Sequence, residues 1–321
     1  MRTLPYDIPA ASLELDLLAC NSLRMLAVDA IDKANSGHPG APMGMADLAH
    51  VLWTRHFSYN PDDPSWADRD RLILSNGHAS MLLYGLLHTG GFGLDMNDIK
   101  NFRQWGSCTA GHPELGEIPG IEISTGPLGQ GFAHGVGMSM ASMRMKAQMA
   151  NAEFDPVSHR IFVFMGDGCM MEGITQEAAS LAGHLGLGNL IAIYDDNSIT
   201  IDGRTDLAFS ENMKLRFEAL GWHVTGCDGH DHGDIAMALD DCVKQTAKPS
   251  LLIAKTTIGK GSPNKQDTSG VHGSPLGADE IERTRENLGW NYPPFTVPEP
   301  VRDYYDRCRA EKLKAYDEWK E

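Results

Sequence analysis

Hydrophobic residues recur along this chain with two different spacings, one typical of helices and the other typical of buried strands. Over 12–34, apolar positions repeat at helical intervals, which predicts a helix that stops before Ser36 and Gly37. The same spacing predicts a second helix over 43–56. A short apolar run over 71–75 predicts a strand instead.

The middle of the chain has the pattern of a βαβ unit, with apolar runs at 161–165 and 190–194 on either side of a helical stretch at 172–187. Both runs are apolar throughout, as expected of strands in a parallel sheet that helices cover on both faces. We therefore predict an α/β fold with a doubly wound, mostly parallel sheet. The alternation continues with a strand, a helix and a strand at 223–225, 235–246 and 251–254.

The composition changes after about residue 290. Four prolines between 293 and 300 make a stiff, extended segment, and the charged stretch 302–321 that follows fits a solvated helix. We therefore predict an α/β domain over 1–290, followed over 291–321 by a proline-rich linker and a charged C-terminal helix.

Five methionines lie on the helix that is predicted after the glycine-rich segment at 126–131. They are Met138, Met140, Met143, Met145 and Met149. Such a cluster could form a special surface, but Met commonly fills irregular gaps between core side chains. Core packing is therefore the role that we predict for them.

Acidic residues outnumber basic ones in this chain. Lys and Arg number 27 and Asp and Glu number 43, which leaves a net charge of −16. Nucleic acid and anionic membrane surfaces attract basic patches, so neither is an expected partner. Any phosphate ligand would need local chemistry that overcomes this overall field.

The length and the cysteine pattern bear on where the protein works. A chain of 321 residues can bury a large core without disulfides. No apolar run approaches the roughly 20 residues of a membrane span. Asp7, Glu14 and Asp16 interrupt the N-terminal apolar residues, so we expect no signal peptide. The six cysteines are scattered without a CxxC pair and are expected to be reduced, which predicts a cytoplasmic protein.

Polar side chains are expected where the strands of the βαβ unit end. Gly166, Asp167 and Gly168 follow the first strand, and Asn197 follows the second. Since ligands of open α/β sheets bind at the carboxyl ends of the strands, Asp167 and Asn197 are expected side by side. With a nearby main-chain carbonyl they offer hard oxygen ligands that suit Mg²⁺. A plain glycine turn is the alternative, although the strand context favours a metal site.

Four histidines lie in turn-like segments rich in glycine, where they are well placed to contact a ligand or to transfer a proton. They are His38, His78, His112 and His272. Zinc binding is the rival interpretation, but their wide separation and the lack of a short HxxxH pair among them disfavour it. The glycine turn at 126–131 could present N–H groups to an anion, with Leu128 as an apolar wall for a ring.

Several longer segments resemble the N-terminal part of transketolase. The resemblance is carried by SGHPGAPMGMADLAHVLW, NPDDPSWADRDRLILSNGHAS, STGPLGQG, FMGDGCMMEG, YDDNSITIDG, KPSLLIAKTTIGKGSPNK and HGSPLG. These segments match in order and spacing from about Ser12 to about Pro294. GDG followed by Asn is shared by thiamine-diphosphate enzymes in general, whereas SGHPGAPMG and GPLGQG are similar to transketolase in particular.

The resemblance implies a thiamine-diphosphate-binding fold and the transfer of a two-carbon ketol unit between sugars or sugar phosphates. It implies thiamine diphosphate together with Mg²⁺, or Ca²⁺ or Mn²⁺ in its place. The implied cation ligands are Asp167, Asn197 and the main-chain carbonyl of Ile199. The residues implied at the diphosphate are His78, Gly168 and His272. Those implied along the cofactor rings are Gly126, Pro127 and Leu128. The histidines implied to bind substrate hydroxyls and move protons are His38, His112 and His272.

Nothing in this chain resembles the pyrimidine-binding and C-terminal domains that the rest of a transketolase carries. We therefore predict the N-terminal subunit of a split transketolase, completed by a separate C-terminal transketolase subunit, with two copies of each chain. Two alternatives stay open. One is another thiamine-diphosphate enzyme, such as a decarboxylase or a 1-deoxyxylulose-phosphate-synthase-like enzyme, and the other is a non-catalytic cofactor-binding subunit. Glu172 matches a carboxylate near the family's subunit interface, but a role at a helix N-terminus is an equal alternative.

Overall fold

A computed structural model describes residues 11–151 and 153–321 of the chain. The first ten residues lie outside the described residues. They include part of the N-terminal segment for which no signal peptide is expected. The strands are β1 (Arg71–Leu74), β2 (Ile161–Gly166), β3 (Leu190–Asp196), β4 (His223–Asp228) and β5 (Ser250–Lys255). They form one sheet in the order β1-β2-β3-β5-β4, and each neighbouring pair is parallel. The predicted doubly wound α/β fold is therefore confirmed.

The helices cover both faces of this sheet. The first six are α1 (Leu13–Ala34), α2 (Gly40–Gly44), α3 (Ala46–Val51), α4 (Ser80–Gly90), α5 (Met96–Lys100) and α6 (Gln130–Met149). The others are α7 (Asp167–Met171), α8 (Gly173–Leu185), α9 (Met213–Ala219), α10 (His232–Lys244), α11 (Ala278–Asn287) and α12 (Glu299–Lys320). Within the part of the chain that the structure describes, no helix combines the length and the apolar character needed to cross a membrane.

Alternate residues of each strand pack into two separate cores, as the pleat of a sheet requires. On β2, Phe162 and Phe164 face a core shared with α1, α3, α4, α10 and α12. Ile161, Val163 and Met165 face a second core shared with α6, α8 and α9. Burial on both faces explains why the predicted strands are apolar throughout rather than alternating.

The helix predicted over 43–56 is present but interrupted, because the chain there forms α2, a break at Met45, α3 and a π-helical turn at Leu52–His56. A distant segment lies against this region. The Gly40 carbonyl accepts a hydrogen bond from the Gly259 N–H at 2.9 Å, and a Cβ on Gly44 would lie 3.0 Å from the Thr257 carbonyl oxygen. Hydrophobic spacing alone could not reveal this contact, since its partner is some 200 residues away in the sequence.

The prediction that the methionines of α6 pack in the core is wrong for four of the five. Met140, Met143, Met145 and Met149 are exposed, and only Met138 packs partly against a core cluster. The buried side of α6 consists largely of small residues because the helix lies very close to the sheet. A Cβ on Gly135 would come within 2.6 Å of the Val163 side chain. The large methionine side chains therefore project away from the sheet.

The C-terminal helix predicted over 302–321 is present as α12, but it is not solvated on every side. Tyr304, Tyr305, Cys308 and Lys312 are buried against the domain. The Lys312 ammonium donates to the Trp53 carbonyl oxygen. The domain boundary at 290 stays a prediction. One face of α12, which lies beyond that boundary, packs in the same core as α1 and α4.

A buried ionic network joins three helices that are distant in the sequence. Asp47 of α3 accepts from the Arg24 guanidinium of α1 and lies 3.1 Å from Nε2 of His232 on α10. Asp16 of α1 lies 2.9 Å from Nε2 of His50 and 3.8 Å from Nδ1 of His232. Burial alone would lower the pKa of His232, but Asp16 and Asp47 outweigh it and raise that pKa to about 9. His232 is therefore a charged link from α10 to Asp47 of α3 and Asp16 of α1.

Replacing His232 with Gln should destabilise the protein at neutral pH more than at high pH. A folded pKa near 9 exceeds the unfolded value near 6.5, so the stabilisation is complete below about pH 6.5 and is lost as the pH rises through about 9. We expect the difference in unfolding free energy between wild type and His232→Gln to shrink by about 1–3 kcal/mol between pH 6 and pH 9.5 in urea titrations.

His223→Gln is the matched control, because it removes an exposed pair between His223 and Asp241 that should contribute little to stability. An equal effect of the two substitutions at every pH would contradict the role assigned to His232.

Candidate functional site

The carboxyl ends of β2 and β3 bring two predicted site residues to one place. Parallel pairing sets Gly166 opposite Asp195, so the residues that follow each strand emerge side by side. The Asp167 carboxylate accepts from the Tyr194 hydroxyl at 2.5 Å and from the Ser198 N–H at 3.0 Å. Asp167 is therefore held against the turn that carries Asn197.

Asn197 sits in a tight turn that orients both of its amide atoms. Its Nδ2 donates to the Asp195 carboxylate at 2.8 Å, and its Oδ1 accepts from the Ile199 N–H at 3.0 Å. Ser198, between Asn197 and Ile199, has a positive φ of 63°. No hydrogen bond within the described residues uses the carbonyl oxygen of Ile199. Asp167, Asn197 and Ile199 all line the same cleft.

The electrostatics of these residues fit a bound cation. Burial, together with the charge of Asp196, raises the pKa of Asp167 to about 6 despite the hydrogen bond from Tyr194. Burial and the charge of Asp167 raise the pKa of Asp195 to about 7. A carboxylate, an amide oxygen and a main-chain carbonyl are the donor set that Mg²⁺ or Ca²⁺ prefers. A divalent cation among them would offset the repulsion between these carboxylates.

Of the four loop histidines predicted from the sequence, His78 and His272 line this cleft, while His38 lies against both of them and His112 lies beside His38. The ring centroids of His38 and His78, and of His78 and His272, are 5.0 Å apart. His38 lies 5.8 Å from His272 and 6.4 Å from His112. Four segments far apart in the sequence therefore present imidazoles to a common space.

These imidazoles are neutral at pH 7. Burial and then the neighbouring His272 lower the pKa of His38 to about 4, and burial with His272 and His38 lowers that of His78 to about 3. Burial also lowers the pKa values of His112 and His272, and for His112 the nearby Arg103 adds to the effect. Each neutral ring has one N–H donor and one acceptor nitrogen, so it can bind a hydroxyl group or accept a proton.

The glycine-rich loop supplies one wall of the cleft, although only part of it contributes. Leu128 and Ile258 line the cleft, whereas Gly126 and Pro127 do not. Gly168 makes close packing possible, because a Cβ there would lie 2.7 Å from the Leu128 side chain. Gly129, with a φ of +80°, begins α6 just beyond this wall.

The cleft includes residues that the sequence interpretation did not single out as site residues. Asn76, at the end of β1, lines it, and its buried Oδ1 has no hydrogen-bond partner among the described residues. The Nδ1 atoms of His38 and His272 are likewise buried without a partner in the described part of the chain. Asn76 could have been found by the strand-end rule that singled out Asp167. Ile258 lies in a loop with no such signal.

Zinc binding by the loop histidines is not supported by their geometry. Among the described residues, the one group of His, Cys and carboxylate side chains close enough to share a metal ion is Cys20, Asp47 and His232. That group lies in the buried ionic network, where the Arg24 guanidinium already pairs with Asp47. Glu172 is exposed at the start of α8, and its side chain makes no capping hydrogen bond there.

Comparisons with known proteins agree with these features. The sequence profile of a family described as transketolase, thiamine diphosphate binding domain, matches residues 15–321. The chain is 55% identical over 300 residues to Transketolase 1 of Aliivibrio fischeri and 54% identical over 295 residues to Transketolase 1 of Escherichia coli. It is similar to a crystal structure of Pichia stipitis transketolase in complex with sedoheptulose-7-phosphate, with a TM-score of 0.93 and 47% identity.

The chain spans less than half the length of these relatives. The matches cover 92% of this chain but 45% of the Aliivibrio fischeri protein and 44% of the Escherichia coli protein. The Pichia stipitis match covers 95% of this chain and 45% of that chain. The relatives therefore carry a further part that has no counterpart among these residues.

The imidazoles of His38 and His78 should stay neutral well below the usual range. We expect both to titrate below pH 5 in ¹⁵N-resolved NMR of the folded chain, and near pH 6.5 in urea. Burial lowers the pKa of both rings in the folded chain below the unfolded value near 6.5. Protonation of these rings therefore leaves the folded state unaffected above about pH 6.5 and destabilises it progressively as the pH falls towards 4. Titration of both rings near pH 6.5 in the folded chain would contradict their burial in one cluster.

Proposed function

This chain belongs to the transketolase family, and we propose that it is the N-terminal, cofactor-binding subunit of a two-chain transketolase. The proposed reaction transfers a two-carbon ketol unit from a ketose to an aldose, with sugar phosphates as the expected substrates. The observation that carries this proposal is the meeting of the Asp167–Asn197–Ile199 oxygen donors with His78 and His272 in one cleft, with His38 packed against both histidines.

We propose that the oxygen donors hold Mg²⁺, with Ca²⁺ or Mn²⁺ as substitutes, and that the cation binds the diphosphate of thiamine diphosphate. The ligands would be Asp167, Asn197 and the carbonyl of Ile199. The residues proposed at the diphosphate are His78, Gly168 and His272. Those proposed along the rings are Gly126, Pro127 and Leu128, of which Leu128 lines the cleft. The cation and N–H donors would supply the local positive potential that a chain of net charge −16 lacks overall.

The loop histidines are suited to sugar chemistry beside the cofactor. Thiamine diphosphate, when bound, supplies a carbon nucleophile and an acceptor for the electrons released as the carbon–carbon bond breaks. His38, His112 and His272 are neutral at pH 7, so they can accept hydrogen bonds from substrate hydroxyls or donate to their oxygens. A neutral imidazole can also take a hydroxyl proton as the bond breaks and return one to the acceptor.

A second chain is proposed to complete the active site. Support comes from exposed apolar side chains on α6 and α8, two helices that pack against each other. They are Met140, Met143, Met145 and Met149 on α6 and Leu181 and Leu185 on α8. Apolar surface concentrated in this way is typical of a protein interface. The proposed occupant carries the pyrimidine-binding and C-terminal domains, and Glu172 at the start of α8 would lie near it.

The proposed assembly contains two copies of each chain, since closed two-fold symmetry is the commonest arrangement of oligomers. We also propose that it works in the cytoplasm. All six cysteines, which lie among the described residues, are free thiols, as is common in a reducing compartment.

Removing the Asp167 carboxylate should abolish coupled binding of cation and cofactor. We expect Asp167→Asn to weaken the calorimetric binding of thiamine diphosphate in the presence of Mn²⁺ by at least about tenfold, because the main charged ligand is lost. The control is Asp206→Asn, which removes the same charge from an exposed position. Equal binding by both variants and wild type would contradict the proposed cation site.

Ketol transfer should need both chains. We expect this chain alone to cleave no xylulose 5-phosphate in a coupled assay, and to gain activity when mixed with a separate chain that carries the pyrimidine-binding and C-terminal domains. Full turnover by the isolated chain would contradict the two-chain proposal. Consumption of pyruvate without ketose cleavage would favour a decarboxylase or a synthase instead, and cofactor binding without turnover in any mixture would favour a non-catalytic subunit.

A further inference from the structure

We infer that Asp195 is a positioning residue that determines which end of the Asn197 side chain faces the bound cation. The inference rests on the proposed cation site, but it concerns a residue that is not itself one of the proposed ligands. Asp195 is almost completely buried at the end of β3, with 1% of its surface exposed. A carboxylate at such a buried position needs hydrogen-bond donors.

Both oxygens of Asp195 are engaged by specific donors. Oδ1 accepts from the Thr256 hydroxyl, and Oδ2 accepts from Nδ2 of Asn197 at 2.8 Å. Thr256 directly follows β5, which pairs with β3 so that Asp195 lies opposite Ala254. The sheet therefore fixes Thr256, Thr256 fixes the Asp195 carboxylate, and that carboxylate holds Asn197.

The chemistry of this contact selects one orientation of the amide. Both oxygens of Asp195 accept hydrogen bonds, so the carboxylate faces the NH₂ group of Asn197, and a flipped amide would set two oxygens against each other. Oδ1 of Asn197 then points away from Asp195, to the side where it accepts from the Ile199 N–H at 3.0 Å. A flipped amide would turn its NH₂ group towards the cation, and an N–H donor cannot serve as a ligand of that cation.

Asp196 provides an internal contrast. It is adjacent in the sequence and carries the same charge, but its carboxylate pairs with Lys255 at 2.5 Å, while the side-chain amide of Asn197 donates to Asp195. If negative charge alone favoured cation binding, removing either aspartate would weaken that binding to a similar extent. If the orientation of Asn197 matters, only the removal of Asp195 should weaken it strongly.

The test measures Mn²⁺ binding to the full chain by the electron paramagnetic resonance signal of free Mn²⁺, with saturating thiamine diphosphate. We expect Asp195→Asn to weaken Mn²⁺ binding by about 10- to 100-fold, as is typical when the partner of a metal ligand is lost. Asp196→Asn should weaken it by less than about threefold. Equal losses in the two variants would contradict the inference, because they would indicate a charge effect only.

A double variant separates positioning from simple disruption of the fold. In Asp195→Asn/Asn197→Asp the hydrogen bond is reversed, so that the amide of residue 195 donates to the carboxylate at 197, whose other oxygen can face the cation. We expect this variant, which has the charge of wild type, to bind Mn²⁺ at least about tenfold more tightly than Asp195→Asn.

No recovery in the double variant, while its melting temperature matches that of wild type, would overturn the positioning role. Thr256→Val, which leaves every charge in place, should weaken Mn²⁺ binding by about three- to tenfold. Failure of wild type itself to bind Mn²⁺ would contradict the proposed cation site instead, so the two failures are distinguishable.

Discussion

The parallel pairing of β2 with β3 is the constraint on which the rest of the site depends. Because the two strands run side by side in the same direction, Asp167 and Asn197 leave the sheet at one edge. The hydrogen bonds from Tyr194 and Ser198 to Asp167 then close the distance between the two turns. β5 on the far side of β3 adds Thr256, which anchors Asp195. A shift of one residue in either pairing would separate these groups.

The electrostatics of the cleft depend on the groups that line it rather than on the net charge of the chain. The chain is strongly acidic, yet the cleft combines buried carboxylates, whose pKa values are raised, with histidines that burial keeps neutral. Such a cleft carries little positive charge of its own and would need a cation to bind the proposed diphosphate. The positive side chains that are buried serve the fold instead, as Arg24 and His232 do between α1, α3 and α10.

Much of the fold could be predicted from local pattern, because strands buried on both faces are apolar throughout and short glycine-rich turns follow them. The positions of Asp167 and Asn197 just after strands could be predicted from the same pattern, and the position of Asn76 after β1 follows the same rule. What local pattern could not supply were contacts between distant segments. The interruption of 43–56 depends on the backbone at 257–259, and the exposure of the α6 methionines depends on how closely that helix approaches β2.

The central claim is that the ends of β2 and β3 form a cation site for a diphosphate cofactor. Its most direct test is anomalous diffraction at the manganese edge from crystals grown with Mn²⁺ and thiamine diphosphate. We expect one strong peak bonded to Asp167, to Oδ1 of Asn197 and to the carbonyl oxygen of Ile199, with diphosphate oxygens completing its coordination. Cofactor bound elsewhere, or a peak that lacks these three ligands, would contradict it.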